Sequence, residues 1–248
     1  MYEIRQEPAT PLFVAACNVA GEHLQRMGGE GMFWIGTDLV PPVAEHLSFR
    51  LGNQLVFVFV HLPGIPGPSS LELFLDVARE ATAIPTILDL RRVQGDFRPA
   101  LGGWSLRDAR TGKPVDPGLL VSDERIVMSD WEVQDCATQF IATELKEAGS
   151  NLISRHSSFR FEPAIWFRDD RGPAFVVVRS GRFGQSKVRR PANLDAIAAS
   201  CAVKSRRGYF ASVTFGSKDQ LNLPRFRRAI PLYRGHPMVI QFTGLEAI

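Results

Sequence analysis

Sulfur chemistry and long apolar stretches are what this chain has least of. Its three cysteines, Cys17, Cys136 and Cys201, are odd in number and far apart, and no C-x-x-C pair occurs among 248 residues. That spacing excludes a disulfide framework and argues against a thiolate zinc site. Thiols of this kind are expected half-buried in a reducing compartment. No apolar run is longer than six residues, as at Leu55–Val60, far shorter than the roughly 20 residues that span a bilayer. The first residues, Met1 to Gln6, lack the basic-then-apolar pattern of a signal peptide. The expectation is a cytoplasmic protein with no membrane partner.

Several catalytic signatures are missing too. The five histidines, His23, His46, His61, His156 and His236, include no i, i+4 pair, so a zinc site would have to be gathered from distant segments. No G-x-S-x-G elbow and no G-x-x-x-x-G-K-[ST] loop is present. Gly28-Gly29-Glu30-Gly31 is glycine-rich but follows a helical pattern, whereas a dinucleotide fingerprint follows a strand. It reads as a helix stop and turn.

What is present is ordinary in bulk and uneven in charge. Hydrophobic residues make up 45% and charged residues 22%, the balance of a globular chain long enough to bury its own core. Residues 151–248 hold 17 Lys and Arg against 6 Asp and Glu. The first 150 residues hold 12 against 20, so the net charge of +3 hides two halves of opposite sign. Such asymmetry fits a polyanion partner for the basic half, or mutual attraction of the halves at an ion-paired interface.

The spacing of apolar residues predicts a helix over 10–28, opened by Pro11 and closed at Gly28-Gly29. Two strands follow across 47–62, turning at Gly52-Asn53, then a Pro/Gly loop over 63–68. A second helix is expected at about 70–82 with Ser69 or Ser70 as its cap, and a strand over Pro85–Val93. The stretch 96–117, rich in Gly and Pro, reads as a hairpin with loops. A new unit is expected from 119 onward. Its first helix begins at Ser129-Asp130 and ends at Gly149, with acidic residues at its positive end. Strands are expected over Leu152–Ser157, Pro163–Arg168, Ala174–Arg179, Tyr209–Phe215 and Met238–Phe242, with a helix over Asp195–Val203. The fold class is α/β in the mixed α+β sense, with a small mixed-sheet unit at 1–118 followed by a second unit at 119–248.

From about residue 130 the expected order is helix, strand, strand, strand, helix, strand. The segment from Glu162-Pro163-Ala164 through the Asp169-Asp170-Arg171-Gly172 turn to Val177-Val178-Arg179 has the form of an acidic-turn hairpin. Over roughly 130–245 the chain resembles the PD-(D/E)xK restriction-endonuclease-like family, whose core has the αβββαβ order. The resemblance implies a hairpin in which Pro-Asp opens one strand and Glu-x-Lys closes the next. Carboxylates on the two strands would hold Mg²⁺ or Mn²⁺ to activate water, and the lysine would support the developing charge. This sequence has Ala164 at the Asp position, Val177 at the Glu position and Arg179 at the Lys position. Alanine and valine cannot ligate a cation, and arginine does not give up its proton. The expectation is no cofactor. An alternative keeps a migrated site of Glu144, Glu162 and Arg179, with Mg²⁺ or Mn²⁺ required only in that case. Gln185-Ser186-Lys187 is a further amide-x-Lys imitation. The ordinary reading of both glutamates is solvated or paired with Arg155 and Arg160.

Basic residues cluster after the last hairpin strand: Arg179, Arg182, Lys187, Arg189 and Arg190, then Lys204, Arg206 and Arg207, then Arg225, Arg227 and Arg228. Phe183 and Tyr209 lie among them, and an aromatic beside arginines can stack on a base. Cations closing a helix are also favourable for the helix itself. The reading is a non-catalytic, bacterial-type interaction or regulatory protein on a degenerate nuclease-like scaffold. It would bind a protein partner, or a polyanion such as nucleic acid, through Arg179, Arg182, Lys187, Arg189, Arg190, Arg206 and Arg207. The alternatives are a divergent metal-dependent nuclease and a structural homodimer made through strand edges or the Trp131 helix.

Overall fold

The computed structural model describes residues 9–36, 39, 44–183, 188–218 and 231–248. The chain has two compact units, Arg5–Ile126 and Val127–Ile248. The division falls at 126/127, later than the expected 118/119, because side-chain bonds tie the intervening segment to the first unit. The Asn53 amide donates to Ser122 Oγ (3.0 Å) and to the Glu124 carbonyl (2.8 Å), and Asn53 Oδ1 accepts from the Ser122 N–H (3.2 Å).

The first unit opens with α1 (Pro11–Gly28). Thr10 caps it by accepting from the Phe13 N–H, and Pro11 fills the first turn, where no N–H is needed. Then come β1 (Met32–Gly36), β2 (Leu47–Leu51), β3 (Gln54–His61), α2 (Leu71–Glu80), β4 (Ile84–Val93), β5 (Asp96–Pro99), β6 (Leu106–Asp108) and β7 (Pro114–Val115). The sheet runs β1-β2-β3-β4-β6-β7, with β5 paired to β4 off this path. Its one parallel pair, β3 with β4, is joined by the α2 crossover, and the other pairs are antiparallel. Alternation along β3 divides the two faces. Val56, Val58 and Val60 join Phe13, Ala16, Ala20 and Leu24 of α1 in the main core. On the other face Phe59 meets Phe74 of α2 at 5.4 Å.

The second unit contains α3 (Asp130–Glu147), β8 (Asn151–Arg155), β9 (Ile165–Asp169), β10 (Gly172–Arg182), α4 (Leu194–Cys201), β11 (Gly208–Ser217), β12 (Met238–Phe242) and β13 (Glu246–Ala247). Sheet order is β12-β11-β10-β9-β8, with β13 also on β11. β10 and β11 are parallel, joined through α4, and the remaining pairs are antiparallel. The molecule is thus mixed α+β with two mixed sheets, as the patterning implied. A reciprocal capping box starts α3: Ser129 Oγ accepts from the Glu132 N–H, and Glu132 Oε2 accepts from the Ser129 N–H. Such a cap contributes about 1 kcal/mol. The Glu132 carboxylate also receives Arg234 in two buried bonds, Nε to Oε1 at 2.8 Å and Nη2 to Oε2 at 2.9 Å. Removing one partner from such a buried pair typically costs about 3–5 kcal/mol. No described helix is long and apolar enough to cross a membrane.

Each unit buries one neutral histidine. His46 Nδ1 accepts the Val60 N–H and His156 Nδ1 accepts the Ser158 N–H, both at 2.9 Å. Burial lowers each pKa from 6.5 to about 3. Between those values the unfolded chain takes up protons that the folded chain refuses. Their stabilisation is therefore complete above pH 6.5 and is lost as pH falls towards 3, by up to about 1.4 kcal/mol per pH unit for each histidine. Urea midpoints should fall steeply from pH 7 to pH 4, and His156→Gln should flatten that slope for the second unit. An unchanged slope in the variant would contradict this assignment.

Candidate functional site

β10 carries the residues on which any nuclease-like chemistry would depend. Its side chains alternate between two dry faces. Ala174, Val176 and Val178 pack with Val133, Ala137 and Ile141 of α3. Phe175 and Val177 pack with Leu194, Ile197 and Cys201 of α4. Val177 has no exposed surface and Ala164 has 4%, and they sit in these two different clusters. The two positions that would carry metal-binding carboxylates therefore open onto no common solvent-filled space. Among the described residues no group of three or more His, Cys, Asp and Glu side chains could hold a metal ion.

Arg179 continues the α4 face beyond Val177. Its Nη1 lies 2.5 Å from Glu162 Oε1 and 2.8 Å from the Val178 carbonyl. The contact with Glu162 is an ion pair out of line for a hydrogen bond, and both buried carboxylate oxygens lack a hydrogen-bond partner. Burial pushes the Glu162 pKa up against the opposing pull of Arg179. The guanidinium also lies over Phe159, 5.6 Å from its centroid. Cys201 is close enough to Glu162 that the carboxylate adds to the rise of its thiol to about 11, most of which comes from burial. Lys204 follows, over Trp166 at 5.7 Å. Phe159, Arg179, Glu162, Cys201, Lys204 and Trp166 thus form one continuous neighbourhood. Glu144 is not part of it. It is exposed on α3, the helix that covers the opposite face of the sheet. The alternative trio of Glu144, Glu162 and Arg179 is brought together only as the Glu162–Arg179 pair.

The basic clusters separate in the same way. Arg182 is held by Asp130 at 2.5 Å and by the Met128 carbonyl. Arg190 pairs with Glu246 at 2.6 Å and lies over Phe210. Arg207 makes a two-pronged pair with Asp169, at 2.8 and 2.5 Å. That pair, with further help from the Arg171 N–H, brings the Asp169 pKa down to about 2. Arg189 and Arg206 are exposed with no carboxylate partner among the described residues. Lys187, with Gln185 and Ser186, and Arg225, Arg227 and Arg228 lie outside the described residues. The aromatic side chains expected as stacking platforms are engaged elsewhere. Phe183 lies so close over Gly216 that a Cβ there would meet its ring at 2.2 Å. Tyr209 packs beside Phe167 and bonds Arg171. On the helix offered as one homodimer surface, the Trp131 side chain is 2% exposed and belongs to the interior.

Apolar periodicity gave no sign of two polar clusters. Asp135 on α3 is fully buried, bonded by Ser157 Oγ and Gln139 Nε2, each at 2.5 Å, and burial raises its pKa. In the first unit, Asp89 joins His61 (2.6 Å) and Arg107 (2.5 Å) at the carboxyl ends of the parallel strands. The only sequence signal for either was a charged residue inside a strand or on the apolar side of a helix.

Residues 131–248 match the model of a domain of unknown function (DUF8840), a stretch that begins at the start of α3 and runs to the last residue. No curated protein and no solved structure matches the chain.

Two outcomes follow from the buried pair and the dry strand. Arg179→Met removes the cation paired with Glu162, so the carboxyl pKa rises further in the folded state. The loss of stability should be about 2 kcal/mol at pH 7 and smaller at pH 4, where the carboxyl is mostly protonated in both states. Equal losses at the two pH values would contradict the pairing. Ala164→Asp with Val177→Glu, which restores the two acids, should cost 3 kcal/mol or more by burying charge, roughly as for other unpaired buried ions. It should yield no Mg²⁺-dependent cleavage, and a stable, cleaving double variant would show that the two positions can share a cation.

Proposed function

We propose that this is a non-catalytic interaction protein. Its second unit would be a degenerate nuclease-like scaffold that docks an acidic protein surface through the α4 side of its sheet. The observation that carries the reading is the pair of packed positions, Ala164 and Val177, beside an Arg179 already matched by Glu162. The helix–strand order α3-β8-β9-β10-α4-β11 agrees with the αβββαβ core of that scaffold, and a scaffold that has lost its chemistry remains available for binding.

Charge and polarity favour a protein over a phosphodiester backbone. Four of the seven nominated cations, Arg179, Arg182, Arg190 and Arg207, are neutralised by carboxylates of their own unit. Of the other three, Arg189 and Arg206 are exposed with no carboxylate partner among the described residues, and Lys187 lies outside them; Val203, three residues before Arg206, is 92% exposed. An exposed apolar side chain near a cation without a carboxylate partner suits a protein interface with an apolar centre and a charged rim. Tracking a phosphate chain would require a run of unpaired cations.

The test has two arms. Labelled duplex DNA, single-stranded DNA and RNA, with Mg²⁺ or Mn²⁺, should be neither cleaved nor bound tightly at physiological salt. A protein partner recovered with the wild type should bind the purified protein with salt-sensitive affinity, and Val203→Glu with Arg206→Glu should weaken it tenfold or more, about 1.4 kcal/mol. Cleavage abolished by Glu162→Gln would establish the nuclease alternative. Tight nucleic-acid binding lost in Arg189→Glu with Arg206→Glu would replace the protein partner with a polyanion.

A further inference from the structure

The first unit contains an open groove of about 760 Å³ between α1 and the β1–β2 edge of the sheet. That volume is in the range of small-ligand sites. One wall is Trp34, whose indole N–H donates to Gln25 Oε1 at 2.7 Å, so the ring is held in place. Leu47 adds apolar floor, and the other wall is α1 itself. Asn18, Glu22 and Arg26 follow one another at i, i+4 along that helix, about 6 Å apart and so about 12 Å from first to last.

Gly21 is the second, independent observation. It lies in the interior of α1, where glycine disfavours helix relative to alanine. Its backbone is right-handed helix, and an added Cβ would meet nothing within 4 Å. Neither conformation nor packing against the protein explains a glycine there. What lies before it is the groove, which a side chain at this position would partly fill.

We propose that the groove binds a neutral oligosaccharide, independently of the role assigned to the second unit. Glu22 and Arg26 cancel in charge, which disfavours strongly ionic ligands. Asn18 both donates and accepts, the Glu22 carboxylate accepts and Arg26 donates. A ligand that meets all three needs both donors and acceptors, repeated over about 12 Å, and a hydroxyl is both at once. Sugar hydroxyls have that property, and the C–H face of a pyranose ring can lie on Trp34. The edge of a single heteroaromatic ring is too short to reach all three groups.

The test follows the Trp34 indole N–H in ¹H–¹⁵N spectra of the full chain while maltotriose, cellotriose or chitotriose is added. One of the three should move that resonance in a saturable way, with a Kd of millimolar or tighter. Gly21→Ala should raise Tm by about 2–4 °C while weakening the response. Gly21→Leu should abolish the response in a folded protein. Glu22→Ala, on the exposed rim, should weaken it several-fold at unchanged Tm, so a poorly folded leucine variant would not leave the question open. No shift with any of the three sugars, an equal shift in Gly21→Leu, or a shift caused by a neutral peptide or adenosine and not by sugars would each overturn the proposal.

Discussion

The dryness of β10 on both faces is the constraint on which the second unit rests. Five consecutive residues, Ala174 to Val178, are buried, three against α3 and two against α4. A central strand enclosed in this way holds two helices on one sheet, and it does so because no residue in its middle carries charge. The same fact removes the means of holding a hard cation, since a carboxylate at position 177 would have to be buried among Phe175, Ile197 and Cys201. Stability of the sheet and metal chemistry at this place therefore exclude one another in this sequence.

Polar groups in this unit are placed where strand and helix ends need them. Gln134 donates from its amide to the Val178 carbonyl and accepts the Ser180 N–H, fastening α3 to the far end of β10. Glu132 serves its own helix start and Arg234 at once. The excess of arginine, which read as a surface for polyanions, is partly matched at close range: Arg179 by Glu162, Arg182 by Asp130, Arg190 by Glu246, Arg207 by Asp169 and Arg234 by Glu132. Two of these five acids, Asp130 and Glu132, belong to the part of the sequence counted as acidic. The opposed charges thus meet partly inside the second unit, across a boundary drawn at residue 150 for counting alone.

Long periodic elements were legible in the sequence, and short or cross-chain features were not. α1, α2, α3 and the apolar strands β3, β4, β9, β10, β11 and β12 announce themselves through spacing, caps and β-branched runs. β1 was missed because Met32–Gly36 follows the helix stop directly, and β5, β6 and β7 are too short to show alternation. At the candidate site, the residue types at 164, 177 and 179 were readable, including what they rule out. The partner of Glu162 was not, because it lies on a neighbouring strand and no local rule distinguishes Arg179 from the nearer Arg160. The buried Asp135 was hidden for a related reason: helical periodicity marks apolar positions and is silent about a carboxylate whose bonds come from Ser157 and Gln139.

The central claim is that the Ala164–Val177 region is a packed interior with no place for a cation, and paramagnetic broadening by Mn²⁺ tests it most directly. In methyl spectra of the full chain, the resonances of Ala164, Val176 and Val177 should keep their line widths as Mn²⁺ is raised to millimolar levels, with losses confined to exposed acidic residues. Selective, saturable broadening of Ala164 and Val177 that disappears in Glu162→Gln would contradict the account and place a divalent ion beside Glu162.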